Sequence, residues 1–180
     1  MEKTIKDFIK EIVPIVVGIL VALYINNWNE ERKDQNYIDR ISTSLNKELS
    51  ESNDDITEKL VQQRTLIDSL DFYLSDDKVS IEDVTRKAKG VYIPTIKMHS
   101  WKAISNSKIE LMEYEKVSTL ADIEEQKSLL RLKSEKLLDF IYANFKNTTT
   151  EQKEFMKISM GEIISTELSV QKDIEKVLKE

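Results

Sequence analysis

Between Ile12 and Trp28, IVPIVVGILVALYINNW, the chain carries no charged side chain. The unbroken apolar run, Ile12–Ile25, covers about 14 residues or ~21 Å of helix, short of a ~30 Å hydrocarbon core. Phe8 and Ile9 precede it and Trp28 closes it. Phe8–Trp28 is about 21 residues, ~31 Å as a helix, which is long enough to cross. Lys10 and Glu11 lie near one end and Asn26 and Asn27 near the other, where polar groups cost far less than at the centre. Tyr24 and Trp28 suit the interfacial aromatic belt. Pro14 falls in the first turns of the run, where few backbone bonds are lost. The stretch reads as a transmembrane anchor.

Two other readings compete. A cleaved signal peptide needs a basic leader, yet Lys3, Lys6 and Lys10 are matched by Glu2, Asp7 and Glu11. Ala22-Leu23-Tyr24 is a poor cleavage site. The third reading is a core helix of a soluble protein, which has the same length and composition.

One face of the anchor is patterned. Pro14, Gly18, Ala22 and Asn26 recur every four residues. Gly18-x-x-x-Ala22 is a small-xxx-small pair, which lets helices approach closely in lipid. The expected partners are the lipid bilayer and, through this face, another membrane protein or a second copy.

Glu11 and the block VGILVALYINNWNEERK at Val17–Lys33 carry a resemblance. They are similar to the N-terminal signature of an uncharacterised family of small single-pass membrane proteins of Bacteroidetes. Its members carry a glutamate, an apolar run and a GIL-x-AL-x-INNWNE block. Gly18, Ile19, Leu20, Ala22, Leu23, Ile25, Asn26, Asn27, Trp28, Asn29 and Glu30 match it. A fainter echo lies at Ser100–Met112, with Asn106-Ser107 where relatives carry glycine. The resemblance implies an N-terminal anchor with a helical remainder, and it adds nothing about chemistry.

Beyond the anchor the composition is helical. Of 180 residues, 33% are charged and only 3 are Gly and 2 Pro, so helix breakers are scarce. The net charge of −6 argues against nucleic acid as a partner. With 0 Cys, disulfides and thiolate metal sites are excluded. Basic residues near the two ends of the anchor almost balance: Lys3, Lys6 and Lys10 against Arg32, Lys33 and Arg40. The reading leans to a single pass through a bacterial inner membrane with the helical domain in the periplasm. The lean comes from the resemblance, whose members carry a more basic leading tail.

The expected fold is all-α: a short charged tail (1–11), the anchor (12–28), and a three- or four-helix bundle domain (29–180). Within the domain, 29–74 contains no Gly or Pro. Ile38, Ile41, Leu45, Leu49, Ile56, Leu60, Ile67, Leu70 and Leu74 form a near-heptad stripe, with Ser52 and Gln63 at intervening seam positions. This predicts a long stalk helix. The acidic run Glu48, Glu51, Asp54, Asp55 and Glu58 reads as its solvated face. A connector with short helices follows (75–118). Ser80 through Asp83 caps a restart, Gly90 stops it, and Val91–Pro94 is extended. Met98, Trp101 and Ile104 suggest a short helix that plugs the bundle. A helical hairpin (119–180) closes the chain, with caps expected at Thr119 and at Thr149 with Gln152. Leu60, Leu138 and Ile164 are expected to share its core.

No chemistry stands out. His99 is the only histidine, and Glu-x-x-His pairs, GxGxxG and Walker-type loops are absent. No catalytic, metal or cofactor-binding residue is assigned, and no enzyme is expected. A membrane-anchored helical interaction or scaffold protein, accessory to a membrane protein assembly, is the main reading. The alternative is a sensory or signalling module. It would need a partner to relay its signal, since only residues 1–11 lie on the far side of the anchor.

Overall fold

The structure is a computed structural model that describes the backbone of residues 2–179 and the side chains of residues 7–179. The charges of Glu2, Lys3 and Lys6, on which the orientation reading draws, lie outside the described side chains. The described residues are all-helical, without a strand: α1 (Glu2–Phe72), α2 (Ile81–Lys87), α3 (His99–Ser105), a 3-10 turn (Ile109–Leu111), α4 (Tyr114–Ala143) and α5 (Thr150–Lys179).

Contacts divide the chain into two units, Met1–Ser42 and Thr43–Glu180. The sequence boundary at 28/29 follows the change from apolar to charged residues, whereas the contacts change later. Between 29 and 42 the side chains are exposed or half-buried, and Leu45 is the first fully buried one. Unit 1 is helix throughout its described length, with Pro14 inside it. Its apolar side chains from Phe8 to Trp28 are exposed.

In unit 2 the α1 stripe turns inward as the heptad spacing requires. Leu45, Leu49, Ile56, Leu60 and Leu70 are buried, and so are the polar Ser52 and Gln63. Leu66 rather than Ile67 completes the row, and Ile67 is half-buried. After Phe72 the chain turns and restarts at Ser80. There the hydroxyl accepts from the Asp83 amide at 3.2 Å while the Asp83 carboxylate accepts from the Ser80 amide at 3.1 Å. This reciprocal pair is the expected capping box. The Ser80 hydrogen bonds, reinforced by Arg86, hold the Asp83 carboxyl down at about 2. α2 ends where Lys89 and Gly90 enter the left-handed region at φ 66° and 122°.

α4 and α5 form the close-packed hairpin of the unit. Gln126 bonds Asp173 at 2.7 Å, Lys133 bonds Thr166 at 3.1 Å, and the Phe140 and Phe155 rings meet at 4.6 Å. Rising numbers on one helix meet falling numbers on the other, so the two run antiparallel. Their inward faces are Leu120, Ile123, Leu130, Leu137 and Ile141 on α4, and Met156, Met160, Ile163, Val170, Ile174 and Val177 on α5.

Several local expectations are corrected. Thr119 does not cap α4, which begins at Tyr114; Thr119 is buried mid-helix and its hydroxyl donates to the Glu115 carbonyl at 3.1 Å. Thr149 does precede α5, but its hydroxyl donates to Asn147 Oδ1 at 2.8 Å instead of closing a box with Gln152. Of the expected core trio, Leu60 is buried, Ile164 is half-buried, and Leu138 is 38% exposed while its neighbour Leu137 is 2% exposed. One residue turns the helix by about 100°, so two adjacent leucines cannot both face inward. Phe155 and Ile158, which share the apolar spacing of α5, lie on its outer side.

Candidate functional site

Two places in the molecule gather groups of functional interest, one in each unit. In unit 1, Pro14, Gly18, Ala22 and Asn26 all lie on α1, where a spacing of four keeps them on one side of the helix. All four are exposed, and a Cβ placed on Gly18 would meet nothing within 4 Å. Asn26 Nδ2 donates to Glu30 Oε1 at 3.4 Å, one turn on. Tyr24 and Trp28 are exposed, and the Arg32 guanidinium stands 5.9 Å from the centre of the Trp28 ring.

In unit 2, α1 holds the extended connector 91–98 and the start of α3 through a row of polar side chains. Glu48 accepts from the Ser100 amide at 3.1 Å and from the Ser100 hydroxyl at 2.8 Å. Ser52 Oγ accepts from the Lys97 amide at 2.9 Å, and Asp55 Oδ2 from the Thr95 amide at 2.7 Å. Gln63 Nε2 donates to the Tyr92 carbonyl at 2.9 Å. Ascending numbers on α1 meet descending numbers on the connector: the contacts step about one turn at a time from Glu48 to Ser52 to Asp55, and about two turns more to Gln63. Without these side chains the partly buried amides of Lys97 and Ser100 would be left unpaired, at a cost of up to about 1–3 kcal/mol each, whereas the Thr95 amide is exposed.

This row revises the reading of the acidic run as a solvated face. Glu48 and Asp55 hold backbone amides, and Glu51 pairs with Lys97 at 2.6 Å, which holds that carboxyl below its ordinary range. Asp54 and Glu58 remain exposed. Glu48 also does at α3 what a local cap does elsewhere, since Met98 at the N-cap position makes no side-chain bond. Trp101 is buried, as its size suggests, and its indole N–H donates to Glu124 Oε2 at 2.7 Å.

The innermost member of the row is a buried polar pair. Gln63 and Glu167 are both fully buried, with Gln63 Nε2 donating to Glu167 Oε1 at 2.7 Å. Burial pushes the Glu167 carboxyl up to about 7, against the opposing effect of the Gln63 hydrogen bond. Glu167 is absent from the expected set. Gln63 interrupts an apolar seam, and a polar residue at such a position is a sign that something polar faces it; the sequence does not show what.

His99 is exposed. No three His, Asp or Glu side chains among the described residues are placed to hold a metal ion. Two grooves flank α5. One, of about 490 Å³, is lined by Ile67, Ile158, Gly161 and Ile164; the other, of about 310 Å³, by Leu137, Phe140, Phe155 and Ile158. Comparison with protein-family models, curated proteins and solved structures finds no match to the chain.

Proposed function

We propose that the chain is a membrane-anchored helical interaction or scaffold protein, an accessory component of a membrane protein assembly. In this reading Ile12–Trp28 crosses a bacterial inner membrane once and the remaining helices form a three- or four-helix bundle on the periplasmic side. The observation that carries it is the contrast between the two units. In unit 2 the apolar stripe of α1 is buried by protein, whereas from Ile12 to Trp28 none of the apolar side chains is. A continuous exposed surface of Ile, Val and Leu is unstable in water. In a bilayer each such residue near the centre contributes about 0.3–0.6 kcal/mol toward insertion. A helix also satisfies its own backbone there.

Further support comes from the ends and faces. Tyr24, Trp28 and Arg32 suit the headgroup region. The Pro14, Gly18, Ala22 and Asn26 face suits docking on a helix of a partner or of a second copy. The exposed Phe155 and Ile158 offer a protein-binding surface on unit 2. The signature block Gly18–Glu30 points to the same layout through its family resemblance.

The test has two stages. The intact chain is expected to stay with the membrane fraction after alkaline washing, and a detergent-solubilised pull-down is expected to retain a stoichiometric membrane protein. Recovery of the unprocessed chain as a monodisperse soluble protein without detergent refutes the anchor. Membrane retention with no partner other than lipid refutes the assembly role.

A further inference from the structure

Gln63 and Glu167 leave an imbalance in the core of unit 2. The two hydrogens of Gln63 Nε2 are both used, one on the Tyr92 carbonyl at 2.9 Å and one on Glu167 Oε1 at 2.7 Å. Two oxygens remain, Gln63 Oε1 and Glu167 Oε2, both buried and neither reached by a donor among the described residues. Turning the Gln63 amide over does not help, because its oxygen would then face the carbonyl of Tyr92 and the carboxyl of Glu167. A buried, unpaired acceptor is costly, and a buried charge without a partner more so.

We infer that Glu167 is a proton-binding site: the folded unit holds it as the neutral acid, with Oε2–H donating to Gln63 Oε1. One proton then resolves both orphans, since it turns one into a donor and gives the other its partner. The result is an acid–amide pair closed by two hydrogen bonds, with the second amide hydrogen left on the connector at Tyr92. Proton occupancy of α5 is thereby coupled to the contact between α1 and the connector.

The surrounding charges favour the neutral form. On α1, Asp55 opposes a second negative charge at Glu167, and Lys59 is held against Asp55 at 3.5 Å. On the connector, Lys97 is paired with Glu51 at 2.6 Å. On α4, Lys133 is engaged by the Thr166 hydroxyl at 3.1 Å and Glu162 at 3.8 Å. No cation bonds Glu167 among the described residues. Burial raises the carboxyl from its ordinary 4.5 to about 7. The folded state therefore binds more protons than the unfolded state between these values, and stability falls as pH rises through that window. Below it both states are protonated. Above it the destabilisation is complete.

The test uses the full chain in detergent micelles. Thermal unfolding of the wild type is expected at a lower temperature at about pH 8, above this window, than at about pH 5.5, inside it. Glu167→Gln supplies an amide N–H in place of the proton, so it is expected to lose this contribution to the pH dependence and to exceed the wild type at the higher pH. Infrared spectra at the lower pH are expected to show a carboxylic-acid carbonyl band that this variant lacks. That measurement also serves if the variant folds poorly, with Gln63→Leu, which removes the amide partner and adds no carboxyl, shifting the band. Equal pH dependence of wild type and Glu167→Gln, or no acid carbonyl band assignable to residue 167, overturns the inference.

Discussion

The Lys153 ammonium donates to the Tyr73 carbonyl at 2.9 Å and, beside it, to the Asp76 carbonyl at 2.6 Å. Lys153 is fully buried, and both of these partners are backbone carbonyls. It stands where α1 has just ended, and the last turn of α1 has no basic residue of its own. The ammonium thus supplies from α5 the positive charge that a helix C-terminus favours. It also fastens the turn that leads into α2.

Replacing Lys153 with Met keeps most of the volume and removes both charge-assisted bonds. The expected loss of stability is on the order of 3 kcal/mol. Urea unfolding of the detergent-solubilised chain measures it. A change below about 1 kcal/mol would mean that water satisfies these carbonyls as well as the ammonium does.

The two adjacent leucines of α4 should separate cleanly. Leu137→Ala opens a cavity in the core and is expected to cost about 2–5 kcal/mol. Leu138→Ala, at a partly exposed position, is expected to cost under about 1 kcal/mol. Equal losses in the same unfolding experiment would place the helix in a different rotation.

Glu48→Ala removes the cap of α3 from outside that helix. A cost of about 1–2 kcal/mol is expected. Hydrogen exchange should localise it, with the Ser100 amide losing protection and the Lys97 amide, held by Ser52, affected less. Uniform loss of protection across unit 2 would contradict a local role.

The face of α1 in unit 1 is tested in the membrane. On the proposed docking of this face, Gly18→Ile and Ala22→Ile together are expected to abolish cross-linking of the chain in membranes, because close approach needs small side chains. Undiminished cross-linking sinks the assignment of that face.

Much of this was readable from local sequence. The Ser80–Asp83 box, the stop at Gly90 and the extended path before Pro94 depend on residues within a turn of one another, and they occur where the sequence places them. Thr119 shows the limit. Its spacing to Asp122 matches a cap, but the helix already runs from Tyr114, so the hydroxyl meets the Glu115 carbonyl instead of a free amide. The acidic run on α1 was legible as a polar face, and its use as a cradle for the connector was not. That use depends on Thr95, Lys97 and Ser100 arriving from beyond α2.

By itself the sequence determined the helical character and set apart the uncharged stretch near the start. Scarcity of breakers, apolar spacing and absence of charge all act through near neighbours along the chain. Tertiary structure alone decided that Leu137 and not Leu138 faces the core, that Lys153 and Glu167 are buried, and what meets Ser52 and Gln63 on the seam. A polar side chain leaves water only where a partner awaits it. For these residues the partners are backbone or side-chain groups from other elements, brought near only when the helices pack.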